Sequence, residues 1–325
     1  MTPGHGTGVG EVVVETAARL HFGVLDLRGS LGRWFGGVGA SAPGPILRVS
    51  ARPSETLRVE GSDADRAVEF ARLFQAHFGV TAGVHVRVER ALPRHAGLGS
   101  GTQLALAVAR AMAEIEGIAA GAAELARAVG RTRRSAIGTW TFADGGLVVE
   151  GGRRREGNGV APLIARIPFP PSWRCVVAVP HAGGGMSGVD EAEAFGQLPP
   201  VAEHDVERVA HLVLMGLLPA VADADIAAFG AALTAVQSIT GRWFASVQGG
   251  TFAAGLSAEL VARMSEWGAA GVGQSSWGPT VYGVVDGERA GSELADRVRG
   301  AMAASGDVYE GPFRPQGACV SLAPR

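Results

Sequence analysis

The sequence contains no lysine: all 29 of its basic residues are arginine. That excludes a lysine Schiff base and any phosphate loop that depends on a lysine ammonium. Cysteine is nearly as scarce. Cys175 and Cys319 stand far apart, each in an apolar, strand-like run (RCVVAV and GACVSL). Two such residues make no zinc site alone, and both are expected to be buried free thiols. Charged residues are 18% of the chain and the formal net charge is -2, so no global field draws it to nucleic acid or an anionic membrane. The opening MTPGHGTGVG has neither a basic start nor an apolar run. It reads as a frayed tail, not a signal peptide. Long hydrophobic runs are missing too. The most apolar stretch, VAHLVLMGLLPAVADADIAAF, is broken by His211, Pro219, Asp223 and Asp225. It reads as a pair of core helices rather than a membrane span. A soluble cytoplasmic protein is expected.

What is present is enough for a large core: 325 residues, 47% of them hydrophobic. Glu11 to Leu27 looks like two strands joined by a short bend, and Ile46–Ala51 like a third. Apolar residues at Ala67, Phe70, Ala71, Phe74 and Phe78 have helical spacing, with Ser62 or Asp63 to cap the helix and Gly79 to end it. Val84–Leu92 alternates as a half-buried strand. A glycine-rich loop follows, then a helix over Thr102–Glu116. The proline-rich IPFPPSW reads as a linker, which sets domains at 1–170 and 171–325. Strands and helices mix in both halves, so the fold class is α+β.

The loop, PRHAGLGSGTQ, carries Gly97, Gly99 and Gly101 between a strand and a helix. The first amides of such a helix lack intrahelical partners and point along its dipole, which suits a phosphate. Ser100 and Thr102 add hydroxyls for phosphate oxygens or a magnesium shell. An ordinary tight connection needs glycines as well, so the glycine count alone leaves both readings open. Neither G-x-x-x-x-G-K-[ST] nor G-x-G-x-x-G is present.

The string P-x-x-x-G-L-G-S, from Pro93 to Ser100, resembles the second motif of the GHMP small-molecule kinases. ARLHFGVLDLRG and GAAGVGQSSWGPTVYGVV sit where that superfamily has its first and third motifs. The resemblance implies a GHMP-kinase-like two-domain fold. The N-terminal half would be like ribosomal protein S5 domain 2, and the C-terminal half ferredoxin-like. Two departures weigh against kinase chemistry. The loop's usual second serine, which ligates magnesium in those kinases, is Gly101 here. The catalytic aspartate of S-G-[IV]-D is Gly138, in Ser135-Ala136-Ile137-Gly138. RLHFGVLDLRG, GLGSGTQLALAVARA, RSAIGTWTFADGGLVVEGG, GMSGVDEAEAF and GQSSWGPTVYG together resemble the β-ribofuranosylaminobenzene 5′-phosphate synthase family, a non-kinase branch.

That resemblance implies an enzyme of methanopterin-type cofactor synthesis. It would join phosphoribosyl pyrophosphate to 4-aminobenzoate or 4-hydroxybenzoate, releasing carbon dioxide and pyrophosphate. Magnesium is the implied cofactor, small molecules the partners, and a homodimer the expected assembly. Gly97, Leu98, Gly99, Ser100, Gly101, Thr102 and Gln103 would hold phosphate. Asp26 would ligate magnesium or hold ribose hydroxyls, unless it is a turn residue. Arg134 would grip a carboxylate or phosphate, unless it is a solvated charge in the R-T-R-R run. Arg19, His21, Ser135, Ser187, Glu191, Gln274, Ser275 and Trp277 would contact substrate. Each has a plainer reading: His21 as a structural histidine, Ser187 with Asp190 as a capping box, Trp277 as core. Asp144 reads equally as a turn residue. A true ATP-dependent kinase and a non-catalytic binding protein are the alternatives, separated by ATP consumption and by binding without turnover.

Overall fold

The computed structural model describes residues 9–132, 134–157, 159–181 and 188–324, with the side chains of 9 and 188–192 excepted. The expected frayed tail therefore falls almost wholly outside the described residues. So do Ser187, the capping box it would open and the side chain of Glu191.

The chain runs β1 (Val9–Asp26), β2 (Arg33–Ser54), β3 (Arg58–Gly61), α1 (Ala64–Phe78), β4 (Gly83–Arg90), α2 (Ser100–Glu116), α3 (Ala122–Ala128) and α4 (Ile137–Asp144). Next come β5 (Leu147–Glu150), β6 (Arg153–Arg154), β7 (Leu163–Ile167), β8 (Trp173–Pro180), α5 (Gly188–Gln197) and α6 (Glu203–Leu212). A π-helical turn over Val213–Leu217 leads into α7 (Leu218–Ala222). The chain continues with α8 (Ile226–Gln248), α9 (Leu256–Glu266), β9 (Gly271–Gln274), β10 (Val281–Asp286), α10 (Glu288–Met302), β11 (Gly306–Pro312) and β12 (Cys319–Pro324).

The bend expected in Glu11–Leu27 does not divide a strand pair. β1 is one long strand whose pairing with β2 slips between Ala17 and Arg19 and again between His21 and Gly23. Bulges of this kind bend a strand and re-aim its side chains, and here they bracket Arg19 and His21. β2 was legible only over Ile46–Ala51. Its first half, RWFGGVGASAPG, looks like loop because glycine and proline fill it, yet it pairs with β1 and β5. Asp63 does not cap α1 through its side chain; its carboxylate pairs with Arg66 and Arg94 instead. Gly79 ends α1 in a left-handed conformation, as its position suggests.

The first sheet runs β12-β1-β2-β4-β3, with β5, β6 and β7 attached at the outer half of β2. α2 is its central partner: Leu104, Ala105, Leu106, Ala107, Val108, Ala111 and Met112 are all buried. The second sheet, β11-β8-β10-β9, is wholly antiparallel. Its order matches a split β-α-β-β-α-β unit, the ferredoxin-like arrangement. α9 and α10 supply Leu260, Met264, Leu294 and Val298 to one core with Val176 and Val281. Cys175, Val177 and Tyr282 join the main core with Phe229 and Phe22. The last strand pairs with β1 over Val9 to Glu15, so residues 319–324 belong to the first sheet although they lie beyond residue 171. Cys319 on that strand is exposed, contrary to the buried thiol expected; Cys175 is buried. Among the described residues no helix is long and apolar enough to cross a membrane.

Candidate active site

The glycine loop is seated by backbone contacts. Gly97 and Gly99 have φ of 74° and 73°, where glycine carries no steric cost. Gly97 has no room for a side chain, since a Cβ there would overlap the carbonyl oxygen of Ser275. The Gly97 carbonyl accepts from Arg19 Nη1 at 2.6 Å and from Ser275 Oγ at 2.7 Å. The backbone N–H of His21 donates to the same Ser275 Oγ at 3.0 Å, and that of Arg19 to Leu98 O at 3.0 Å. All three sequence motifs therefore meet at this loop. Gln103 is fully buried; it accepts from Thr16 at 2.7 Å and donates to Gly138 O at 2.9 Å. Gln103 and Ser275 thus hold the loop from beneath, each fully buried. Gln274 is equally committed, to Ala253 N, Gln248 and Ser276 O. What remains at the mouth of α2 is the N-terminal amides with the hydroxyls of Ser100 and Thr102.

Arg19 and Arg131 stand at that mouth, and Arg134 is close enough to Arg131 to repel it. Burial lowers the Arg19 guanidinium to about 10 and also lowers Arg131 and Arg134, with Arg66 and Arg134 repelling Arg131 further. Arg131 was not foreseen as a site residue. Its guanidinium lies over the Phe70 ring at 4.9 Å, and its buried Nε has no hydrogen-bond partner. Its Nη2 is 3.1 Å from where a Cβ on Gly101 would stand. Only glycine at 101 lets the guanidinium come so close to the end of α2. The other kinase position is filled in the same way. Gly138 sits in α4, which the sequence suggested was a glycine turn, and a Cβ there would meet Thr102 Cγ2 at 3.0 Å. At both positions an added side chain would meet a neighbour at 3.0–3.1 Å, so that the neighbour would have to shift.

Beyond the loop, β1 carries His21 next to Ser135, with Nε2 and Oγ 3.2 Å apart. Ser135 lies beside Glu150, a fully buried carboxyl at the end of β5 whose ionised form the Ser135 hydroxyl favours. Glu150 accepts from Ala136 N at 3.3 Å and Gly152 N at 2.7 Å, yet burial raises it to about 7. Burial, with Arg19 nearby, lowers His21 to about 3. Its folded value is below the ordinary 6.5, so its stabilising contribution is full above about 6.5 and lost as pH falls toward 3. Glu150 has the opposite sign: raised above 4.5, its contribution is present below that value and lost as pH rises through about 7. Thermal melts of His21→Gln and wild type should therefore converge or cross on acidification, by about 3 kcal/mol near pH 4. A constant gap across that range would show that His21 is not held neutral.

Asp26 lies seven residues along β1 from Arg19, about 20 Å at strand rise. Its Oδ1 accepts from Arg28 N at 2.6 Å and Gly29 N at 3.0 Å, which is the turn reading. Asp26 therefore does not reach the loop. No group of three His, Cys, Asp or Glu side chains able to hold a metal occurs among the described residues. Beside Asp26 opens a cavity of about 480 Å³, lined by Leu27, Arg28, Trp34, Phe35, Phe195 and Val201 among others. Phe195 packs edge-on to Phe35, and Trp277 packs edge-on to Phe195 and Phe244. Trp277 is 7% exposed; it backs the cavity's aromatic wall.

Residues 65–145 match GHMP kinases N terminal domain and residues 217–304 match GHMP kinases C terminal. The chain is 36% identical to beta-ribofuranosylphenol 5′-phosphate synthase of Methanothermobacter thermautotrophicus, over 90% of this chain and 92% of that protein. The chain belongs to this synthase family, within the GHMP group. The Archaeoglobus fulgidus member is also 36% identical, over 87% and 91% of the two chains. A homoserine kinase from Cytophaga hutchinsonii shares the fold at 17% identity and TM-score 0.69, covering 96% of this chain and 97% of its own. In this chain, side chains added at Gly101 and Gly138 would meet Arg131 and Thr102.

Proposed function

We propose that the chain joins C1 of phosphoribosyl pyrophosphate to the carboxylate-bearing ring carbon of 4-hydroxybenzoate, releasing carbon dioxide and pyrophosphate. The observation that carries this reading is Arg131 standing over Gly101 at the mouth of α2. A pyrophosphate there meets helix amides and the guanidiniums of Arg19 and Arg131, which favours the leaving group as its charge develops. The aromatic cavity with Arg28 at its rim suits a benzoate ring and its carboxylate. The relatives' name specifies a phenol product, which favours the 4-hydroxy acid over 4-aminobenzoate.

Magnesium is part of the proposal only as an ion arriving with the diphosphate, since one to two carboxylates plus substrate phosphates is its usual shell. Asp26 stands too far along β1 to ligate it at the loop, so its place is at the cavity end, beside the ribose or the acceptor. A homodimer and a cytoplasmic location belong to the same reading.

The test is release of labelled carbon dioxide from carboxyl-labelled 4-hydroxybenzoate with phosphoribosyl pyrophosphate and magnesium. Parallel reactions hold 4-aminobenzoate, or ATP in place of the sugar donor. Release that depends on the sugar donor supports the synthase. ATP consumption on a small alcohol, with no release from either acid, would restore the kinase.

A further inference from the structure

Glu150 has no part in the scheme so far, yet among the described residues it is the one fully buried carboxyl. Two backbone amides hold it, Ala136 N at 3.3 Å and Gly152 N at 2.7 Å, and the first of these is next in the chain to Ser135, whose Oγ stands 3.2 Å from His21 Nε2. Space for it is kept by Gly37, where a Cβ would stand 3.4 Å from Glu150 Oε1 and 3.3 Å from His21 Nε2. Ser135 is only partly buried, so its side chain is the step between this carboxyl and solvent. The place is informative. On β1, Arg19 is at the loop, His21 follows, and Asp26 stands by the aromatic cavity; on β2, Gly37 pairs with Glu150 two residues from Phe35 of the cavity wall. Ser135 and Glu150 therefore lie between the phosphate end and the aromatic end.

We propose that Glu150, acting through the Ser135 hydroxyl, receives and returns the proton of the acceptor's para hydroxyl. The inference rests on the synthase reading above. Ser135 touches the substrate; Glu150 works behind it. The para O–H passes its proton to Ser135 Oγ as Ser135 passes its own to Glu150. The electron pair left on the ring oxygen drives the carboxylate-bearing carbon onto ribose C1, and the C1–O bond breaks with its pair leaving on pyrophosphate. The C–COO⁻ bond then breaks, its pair restoring the aromatic ring, and carbon dioxide departs. The ring oxygen takes the proton back from Ser135, and Ser135 recovers its own from Glu150. No other acid, base or oxidant is consumed.

The titratable group nearest the carboxyl is His21 on β1, whose Nε2 and Glu150 Oε1 both stand against Gly37. Burial, not this neighbour, sets its affinity for a proton, which near neutrality suits a group that both accepts and returns one. His21 stays neutral and serves to hold Ser135 in place.

The experiment compares wild type, Glu150→Gln and Ser135→Ala, each checked by thermal melt, on 4-hydroxybenzoate and on a ring-fluorinated 4-hydroxybenzoate whose hydroxyl is already ionised at neutral pH. With the ordinary acid, both variants should lose about 100-fold in kcat while KM for the sugar donor holds, and the wild-type rise in kcat near pH 7 should vanish. With the ionised acceptor, the variants should come within about 3-fold of wild type, because no proton has to be removed. An equal deficit on both acceptors in folded variants overturns the relay and leaves the synthase reading intact. Absence of carbon dioxide release by wild type overturns the synthase reading, and the relay with it.

Discussion

Gly97→Ala should cost about 100-fold in kcat/KM, since displacing a positioning loop by about 1 Å has that effect. Two causes combine. Alanine at φ 74° sits in the left-handed region, at about 1–2 kcal/mol. The larger cause is that the new methyl would occupy the place of the Ser275 carbonyl oxygen, with Gly278 O also at 3.2 Å. Backbone atoms cannot rotate away as a side-chain tip can. The loop must lift from the third motif, and Arg19 and Ser275 then lose their shared acceptor. Steady-state kinetics with the sugar donor varied gives the test. Retention of full activity would mean that the seat seen here is not the working one. Gly99→Ala is a milder companion, because its Cβ meets the flexible side chain of Arg19, with Cγ at 2.7 Å.

Restoring the kinase residues should not restore a kinase. Gly101→Ser must push the Arg131 guanidinium away from the mouth of α2, and KM for the sugar donor should rise about 10- to 100-fold, the value of one to two charge-assisted hydrogen bonds. Gly138→Asp places a carboxylate in α4 against Thr102 and near the Gln103 amide, at 3.0 and 3.7 Å from its Cβ. In a packed interior this costs about 3 kcal/mol or more, so the melt should fall by several degrees. The double variant should turn over neither ATP nor the sugar donor well. Measurable ATP turnover would show that the two glycines, rather than the residues moved in behind them, had been the barrier.

The loop was legible because its chemistry is local: Gly97 and Gly99 declare positive φ, and the run after them a helix start, without any knowledge of their neighbours. The third motif was legible for the same reason, but its role was not. Gln274 and Ser275 read as ligands by residue type, whereas their hydrogen bonds go largely to partners as far as 254 positions away. α4 looked like a turn because Gly138 weakens a helix; tertiary contact with Thr102 is what makes glycine necessary there. Glu150 gave no signal at all. It ends an ordinary apolar strand, and nothing in LVVE shows that its side chain enters the core. Arg131 was hidden in the run R-T-R-R, where charge suggests solvent.

The pairing of β12 with β1 has a consequence during synthesis. β1 leaves the ribosome about 300 residues before its outer neighbour, roughly 15–60 s at ordinary elongation rates. For that interval one long flank of the first sheet has no partner, and its unpaired amides and carbonyls invite other nascent chains. Ser275, which seats the glycine loop, is also a late arrival. The first sheet and the seat of the loop are thus completed only by segments made about 300 and 180 residues later.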